Sequence, residues 1–169
     1  MDTHLRRSTP ADLAFATALE RAPENRDFIG QWSDEEHLEA MAGGRGREHW
    51  IIERAGAPAG FLIAYDGRDR GAGVYVKRLV VVDKERGTGR AALSLFLDNA
   101  CARPDVGFVW LQVRTWNERA QALYRKLGMR RYDPAGEELR LWDETMDRGG
   151  DGVFRMRIEA SEWRDSRAR

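Results

Sequence analysis

The chain has 169 residues, of which 42% are hydrophobic and 33% charged, and its 28 basic side chains balance 28 acidic ones. This composition is too apolar for a disordered chain, and the charge balance disfavours a nucleic-acid-binding surface. No stretch approaches the roughly 20 apolar residues of a membrane span, and the N-terminus lacks the apolar core of a signal peptide. We therefore expect one cytoplasmic domain over residues 1–169, with neither a membrane nor a nucleic-acid partner.

Strand and helix periods alternate along the chain. Runs of β-branched and aromatic residues indicate strands, and apolar residues at helical spacing indicate helices. Cap residues mark two helix starts, at Thr9-Pro10 and at Ser33 with Glu36 three residues later. In chain order, the predicted elements are a strand at Thr3–Arg7, helices over residues 11–21 and from Ser33 to Gly44, strands at Trp50–Arg54, Gly60–Tyr65 and Val74–Val82, a helix closed by Pro104, a strand at Val106–Arg114, a helix ended by Gly128, and strands at Leu139–Trp142 and Val153–Ala160.

This order predicts a mixed α/β domain around one sheet. Val106–Arg114 carries apolar residues on both faces, which indicates a strand covered on both sides. Val153–Ala160 alternates strictly, with Phe154, Met156, Ile158 and Ala160 on one face, which indicates a half-buried strand.

The most informative turn follows the strand that ends at Val82. It contains Gly87 and Gly89, whose backbones can approach a ligand closely. Amides at a helix start have no intrahelical acceptor, and the helix dipole places partial positive charge there, so such a turn suits a pyrophosphate. Arg86 and Arg90 add full positive charges. The pattern therefore predicts a phosphate-binding loop.

Two other phosphate-binding loops can be compared with this one. The turn has no Gly-Lys-Ser/Thr, which excludes a Walker A loop. Residues 87–92 satisfy the dinucleotide fingerprint G-x-G-x-x-G/A, with Asp105 at a suitable distance. Asp105 precedes its strand instead of ending one, and only about 80 residues follow the loop, fewer than a doubly wound domain usually takes. A dinucleotide-dependent oxidoreductase stays open as the weaker alternative.

A second motif lies downstream. Asn117 follows a strand at the position of a helix N-cap. Tyr124 lies seven residues later, on the same predicted helix face as Ala120 and Leu127. Taken alone, these residues are explained by a cap and a core aromatic.

Together, the two motifs resemble the GNAT superfamily of acetyl-CoA-dependent N-acyltransferases. The main signature of that family is Arg/Gln-x-x-Gly-x-Gly/Ala, and Arg86-Gly87-Thr88-Gly89-Arg90-Ala91 is similar to it. The second signature is a strand, then Asn, Ala-x-x-x-Tyr and Gly-Phe, and here Met129 replaces the Phe. The resemblance is strong over residues 74–132. It implies an α/β (α+β) single domain with a mixed, mostly antiparallel central sheet flanked by about four helices.

The resemblance also implies acetyl-CoA as co-substrate and a role for each matching residue. Strand backbone groups would bind the pantetheine arm, loop amides the pyrophosphate, and Asn117 the middle of the arm. Tyr124 would act as general acid toward the departing thiolate, after direct attack by an amine in a ternary complex. The strand residues are Leu79, Val80 and Val81, and the loop residues are Arg86, Gly87, Thr88, Gly89, Arg90 and Ala91.

The proton acceptor and the acceptor amine are less defined. Members of the family often carry a Glu on the strand before the loop, whereas residues 75–78 read Tyr-Val-Lys-Arg. Glu53 and Glu36 are weak candidates for the base, and a water relay is preferred. The missing carboxylate keeps open a non-catalytic CoA-binding module. The acceptor is expected to be a small amine or a protein N-terminal amine, and a homodimer through the C-terminal strand has no motif behind it.

Other conspicuous residues have ordinary explanations. Cys101 lies near a helix end, away from the favourable N-terminal dipole, and is expected to be a buried or inert thiol. The three histidines have no metal-ligand spacing. Trp32 is expected to pack between helices. We predict no metal site.

Overall fold

The computed structural model describes residues 2–67, 71, 73–84, 86–141 and 152–169. They divide into two compact units. One unit comprises Met1–Asp66 and Val76–Phe96, and the other comprises Gly67–Tyr75 and Leu97–Arg169.

The described residues contain seven strands in one sheet, in the order β1-β2-β3-β4-β5-β7-β6. The pairs β1–β2, β2–β3, β5–β7 and β6–β7 are antiparallel, which confirms the mostly antiparallel sheet expected from the sequence. The strands are β1 Thr3–Arg7, β2 Arg47–Arg54, β3 Ala57–Asp66, β4 Val74–Val81, β5 Phe108–Arg114, β6 Arg130–Tyr132 and β7 Val153–Glu159.

Within the described ranges there are seven α-helices, more than the four or so expected. The additional ones are short, and elements of one or two turns show too little periodicity to be read from sequence. The helices are α1 Leu13–Arg21, α2 Pro23–Arg26, α3 Asp34–Met41, α4 Thr88–Cys101, α5 Glu118–Lys126, α6 Gly136–Leu141 and α7 Ala160–Arg167.

In the first unit, α1 and α3 pack on strands β2 and β3. The predicted capping box starts α3: Glu36 N donates to Ser33 Oγ (3.2 Å), and Ser33 N donates to Glu36 Oε2 (2.8 Å). Ala55 and Gly56, both at positive φ, form the tight turn between β2 and β3. Beneath the helices lies an apolar core made of Ala16, Leu19, Trp32, Ala40, Ile51, Phe61, Ile63 and Val80.

In the second unit, Trp110 of β5 is fully buried and stacks on Tyr75, with ring centroids 4.2 Å apart. Helix α7 is fixed to the end of α4, because Trp163 Nε1 donates to Asp98 Oδ1 (3.0 Å) and Arg164 donates to the Cys101 carbonyl (2.7 Å). Cys101 is buried, and this burial raises its pKa to about 11. The expectation of a buried thiol is confirmed.

The segment after β6 corrects one prediction. Leu139–Trp142 was expected to be a strand, whereas α6 covers Gly136–Leu141, and Trp142 lies outside the described residues. A short apolar run does not distinguish strand from helix by periodicity alone. Glu137 and Glu138 in the first turn favour the helix through its dipole. The sequence reading also missed α2, β6 and α7.

Candidate functional site

Strand β4 carries the residues expected to bind the cofactor arm. Val80 is buried, and Leu79 and Val81 are half-buried. Val82 N donates to the Ala59 carbonyl (2.9 Å), so the chain stays hydrogen-bonded to the β3 side at the end of β4. This hydrogen bond therefore fixes the position at which the following turn begins.

The turn leads directly into α4. Gly87 has φ +76°, and a Cβ added there would meet nothing within 4 Å, so the space beside this residue is open. Ala91 N donates to the Gly87 carbonyl (3.0 Å), and the amides of residues 88–90 precede this hydrogen bond. Thr88 Oγ1 accepts from Arg54 Nη1 (3.0 Å), which anchors the first turn of the helix to β2. The helix start has the geometry of an anion site.

Positive side chains surround this helix start. Arg86 and Arg90 are exposed, and the contact of Arg86 Nε with Asp83 Oδ2 is long, at 3.9 Å. Lys84 Nζ donates to the Glu24 carbonyl (2.6 Å), which ties the turn to helix α2. No sequence pattern pointed to Lys84, because its partner lies 60 positions away in the chain.

In the second unit, Asn117 caps α5 as predicted. Its Oδ1 accepts from Ala120 N (3.2 Å). Gln121, which the sequence reading did not single out, is buried and donates from Nε2 to the carbonyls of Arg114 (3.1 Å) and Thr115 (2.9 Å). The start of α5 is thus fixed to the end of β5.

Tyr124 lies on α5 two turns after the cap. The residue is half-buried, and desolvation of its hydroxyl raises the pKa to about 12. Its carbonyl accepts from Leu127 N (3.1 Å) and Met129 N (3.0 Å), while Gly128 at φ +87° ends the helix. At neutral pH the phenol is protonated and is able to donate a proton.

The predicted site residues fall into two groups. Leu79, Val80 and Val81 lie with Arg86–Ala91 in the first unit, and Asn117 lies with Tyr124 in the second. The two glutamates considered as bases have structural partners. Glu53 Oε1 accepts from Arg6 Nε (2.7 Å), and Glu36 closes the capping box of α3.

The described residues contain no group of three or more His, Cys, Asp or Glu side chains that could hold a metal ion. Over the same ranges, no helix combines the length and the apolar character needed to cross a membrane.

The Acetyltransferase (GNAT) family model matches residues 16–129. This chain belongs to the GNAT acetyltransferase family. Membership confirms the family that the two motifs resemble, and with it the predicted enzyme class, an N-acetyltransferase. No curated protein sequence matches the chain significantly.

Solved structures of the same fold cover nearly the whole chain of this GNAT family member. A spermidine N-acetyltransferase from Vibrio cholerae in complex with CoA and spermine is 18% identical, with a TM-score of 0.76 over 95% of this chain and 97% of that one. A chimera of the Vibrio cholerae enzyme SpeG and hSSAT is 17% identical, with a TM-score of 0.76 over 98% and 99%. An acetyltransferase from Thermus thermophilus is 20% identical, with a TM-score of 0.69 over 94% and 97%. These similarities confirm the fold class.

Proposed function

We propose that this protein, as a single N-acetyltransferase domain, transfers the acetyl group of acetyl-CoA to a primary amine by direct attack in a ternary complex. The observation that carries the proposal is the turn after β4, where Gly87 leaves open space beside helix-start amides that have no intrahelical acceptor. Family membership supports acetyl-CoA as the ligand, and a solved relative contains CoA.

In this proposal, the first unit binds the cofactor. The amides of Arg86–Ala91 hold the pyrophosphate, and the side chains of Arg86 and Arg90 add charge-assisted contacts. The backbone groups of Leu79, Val80 and Val81 bind the pantetheine arm as an added strand would. Support comes from the exposure of both arginines and from the fixed end of β4.

Asn117 and Tyr124 are the residues proposed to act on the cofactor arm and on the leaving group. Asn117 uses Oδ1 for the helix cap, and its Nδ2 is the donor proposed for the arm. Tyr124 protonates the thiolate that leaves when the amine attacks the thioester carbonyl. Burial of its hydroxyl supports this role, since a pKa of about 12 keeps the acid protonated throughout the working pH range.

The amine must lose a proton before it attacks. Glu53 and Glu36 are engaged in other contacts, so we assign this step to water. The acceptor is proposed to be a small amine or a protein N-terminal amine. Because the similar structures from Vibrio cholerae are spermidine N-acetyltransferases, polyamines are the first acceptors to test.

The test is thiol release from acetyl-CoA with a panel of polyamines, other small amines and N-terminal peptides. We expect Tyr124→Phe to lower kcat by about 100-fold or more while acetyl-CoA binding is retained. Tyr132→Phe is the matched control, because Tyr132 is a half-buried tyrosine of the same unit whose pKa is also raised by desolvation. The wild-type rate should not decline up to about pH 10, where an ordinary tyrosine is about half ionised.

Wild-type protein that does not bind acetyl-CoA would refute the proposal. A second candidate is a non-catalytic CoA-binding module, which is favoured by the absence of a carboxylate on residues 75–78. It predicts that acetyl-CoA binds but that no amine in the panel is acetylated. Stabilisation by NADH and not by CoA would point instead to the dinucleotide alternative.

A further inference from the structure

A buried carboxylate lies outside all the residues assigned to the reaction. Glu20 of α1 has no exposed surface. Its Oε1 accepts from Trp32 N (2.6 Å), and its Oε2 forms an ion pair with Arg78 Nη1. His37 Nε2 of α3 lies 3.2 Å from the same Oε2. Glu20 therefore contacts strand β4, helix α3 and the segment between α2 and α3.

A line of polar groups extends away from this carboxylate. His37 Nδ1 lies 3.2 Å from His49 Nε2, and His49 Nδ1 lies 2.6 Å from Ser8 Oγ. One set of tautomers satisfies both contacts: Ser8 donates to His49, His49 donates to His37, and the remaining N–H of His37 faces Glu20. Each side chain in the line is buried, and His37 Nε2 lies within ion-pair distance of Glu20 Oε2 without hydrogen-bond geometry.

This arrangement holds Glu20 in its ionised form. Burial by itself raises the pKa of the carboxyl, but the contacts with His37, Arg78 and Trp32 outweigh burial and lower the pKa below its ordinary value. A carboxylate stabilised in this way is a poor proton acceptor, so Glu20 does not supply the missing base. Its function must be sought in what it holds in place.

Arg78 is the partner that connects Glu20 to the proposed site. It directly precedes Leu79–Val81 in β4, and its guanidinium lies 4.7 Å from the ring centroid of Trp32. A Cβ added at Gly30 would lie 3.3 Å from Arg78 Nη2. The Arg78 side chain is thus confined between α1 and residues 30–32. Arg78 is also the residue of β4 that directly precedes the proposed cofactor-binding residues 79–81.

We propose that Glu20 is a positioning residue for the acetyl transfer: through Arg78 it fixes β4 immediately before Leu79–Val81, and through Trp32 N it fixes the segment before α3 against the same strand. This inference rests on the proposed function for what the strand binds. In this proposal the buried ion pair selects one register of β4, a role that buried polar groups have in some proteins. Displacement of a binding group by about 1 Å can cost up to about 100-fold in rate.

The experiment compares Glu20→Gln with Asp12→Asn. Asp12 is the matched control, since it is a largely buried carboxylate of the same unit that pairs with an arginine, Arg6 (2.8 Å), but it lies on no element assigned to the cofactor. Both variants are expected to melt at lower temperature than the wild type. Hydrogen exchange is then measured over the peptide containing residues 76–82, in the absence of cofactor and well below both melting points.

We expect Glu20→Gln to speed exchange in this peptide and to weaken acetyl-CoA binding by about 10-fold or more, while Asp12→Asn leaves both at the wild-type level. If both variants change exchange and affinity in proportion to their loss of melting temperature, Glu20 has only a stabilising role and the proposal is wrong.

Two further variants keep the test decisive if Glu20→Gln does not fold. Arg78→Lys keeps the charge but loses the planar fork that spans Glu20 and Trp32. Gly30→Ala leaves Glu20 in place and displaces Arg78 Nη2 by a few tenths of an ångström. Each is expected to speed exchange over residues 76–82 by about threefold or more and to raise the KM for acetyl-CoA with little change in melting temperature. Wild-type exchange and KM in both would overturn the positioning role.

The two proposals fail in different ways. Wild-type protein that binds no acetyl-CoA overturns the proposed function, and the exchange measurement then decides by itself whether Glu20 orders the strand. Wild-type protein that binds acetyl-CoA, together with Glu20→Gln that binds it equally well, overturns the positioning role alone.

Discussion

The first unit contains two concentrations of charge that differ in almost every physical respect. Around Glu20, the charged and polar side chains are buried and face one another. Around Gly87, Arg86 and Arg90 are exposed beside open space and the amides of a helix start. Buried charge that is fully paired contributes register and costs desolvation, whereas exposed charge near a helix start is available to a ligand. The comparison separates the residues that shape the site from those that bind.

The largest expected effect tests whether the buried cluster of Glu20, His37 and His49 excludes protons in the folded state. Burial lowers the pKa of His49 to about 4 against its ordinary 6.5; the neighbouring His37 and Arg78 act in the same direction, whereas Asp12 and Glu20 act in the opposite one. Between these pH values the unfolded chain binds a proton that the folded chain excludes. Stability is therefore complete above about pH 6.5 and falls by up to about 3 kcal/mol as the pH drops toward 4.

Urea unfolding between pH 4 and 8 measures this slope. We expect His49→Phe to flatten it, because the group that titrates is removed while the stack on Phe61 is kept. His4→Gln serves as the control for the removal of a histidine, since His4 is an exposed histidine of β1. A slope that survives in His49→Phe would show that the cluster admits protons through another group.

The second prediction concerns the open region. Replacing both Arg86 and Arg90 with Ala is expected to raise the Kd for CoA by about 100-fold, or roughly 2.7 kcal/mol, because two charge-assisted contacts to phosphate are lost. The free energy of unfolding should barely change, since both side chains are exposed. Calorimetric titration and urea unfolding provide the two measurements.

Arg45→Ala is the matched control for this double variant, because Arg45 is an exposed arginine of the same unit that is not adjacent to the loop. It should bind CoA as the wild type does. If the double variant loses less than about threefold in affinity, the exposed arginines are ordinary surface residues and the contrast between the two regions disappears.

The smallest effect tests the backbone of the open region. Gly87→Ala should cost about 1 kcal/mol of stability, because φ is +76° there, and no steric clash should add to this cost. Gly136→Ala, at another open position whose φ is not in the left-handed range, should change stability by less than about 0.5 kcal/mol. Equal costs at both positions would show that alanine adopts the backbone conformation of Gly87 without added strain.

Much of the fold was readable because its signals are local. The capping box at Ser33 and Glu36, the N-cap at Asn117 and the glycine that ends α5 each act within a few residues, and all were found where predicted. The error at Leu139–Trp142 arose where the run was too short for periodicity to decide. Helix α7 was missed because its contacts with Asp98 and Cys101 join residues more than 60 positions apart.

The family of this protein follows from the order of its residues alone, since two motifs specify a loop and a helix whose chemistry is local. The proposed cofactor-binding residues also come from sequence motifs, and they form two short runs, residues 79–81 and 86–91, together with Asn117. The folded chain was needed to show that Glu20 pairs with Arg78, 58 positions away. It was also needed to show that Glu53 accepts from Arg6 and that Glu36 closes the capping box of α3. Burial and ion pairing depend on residues that are distant in sequence, and no local pattern contains them.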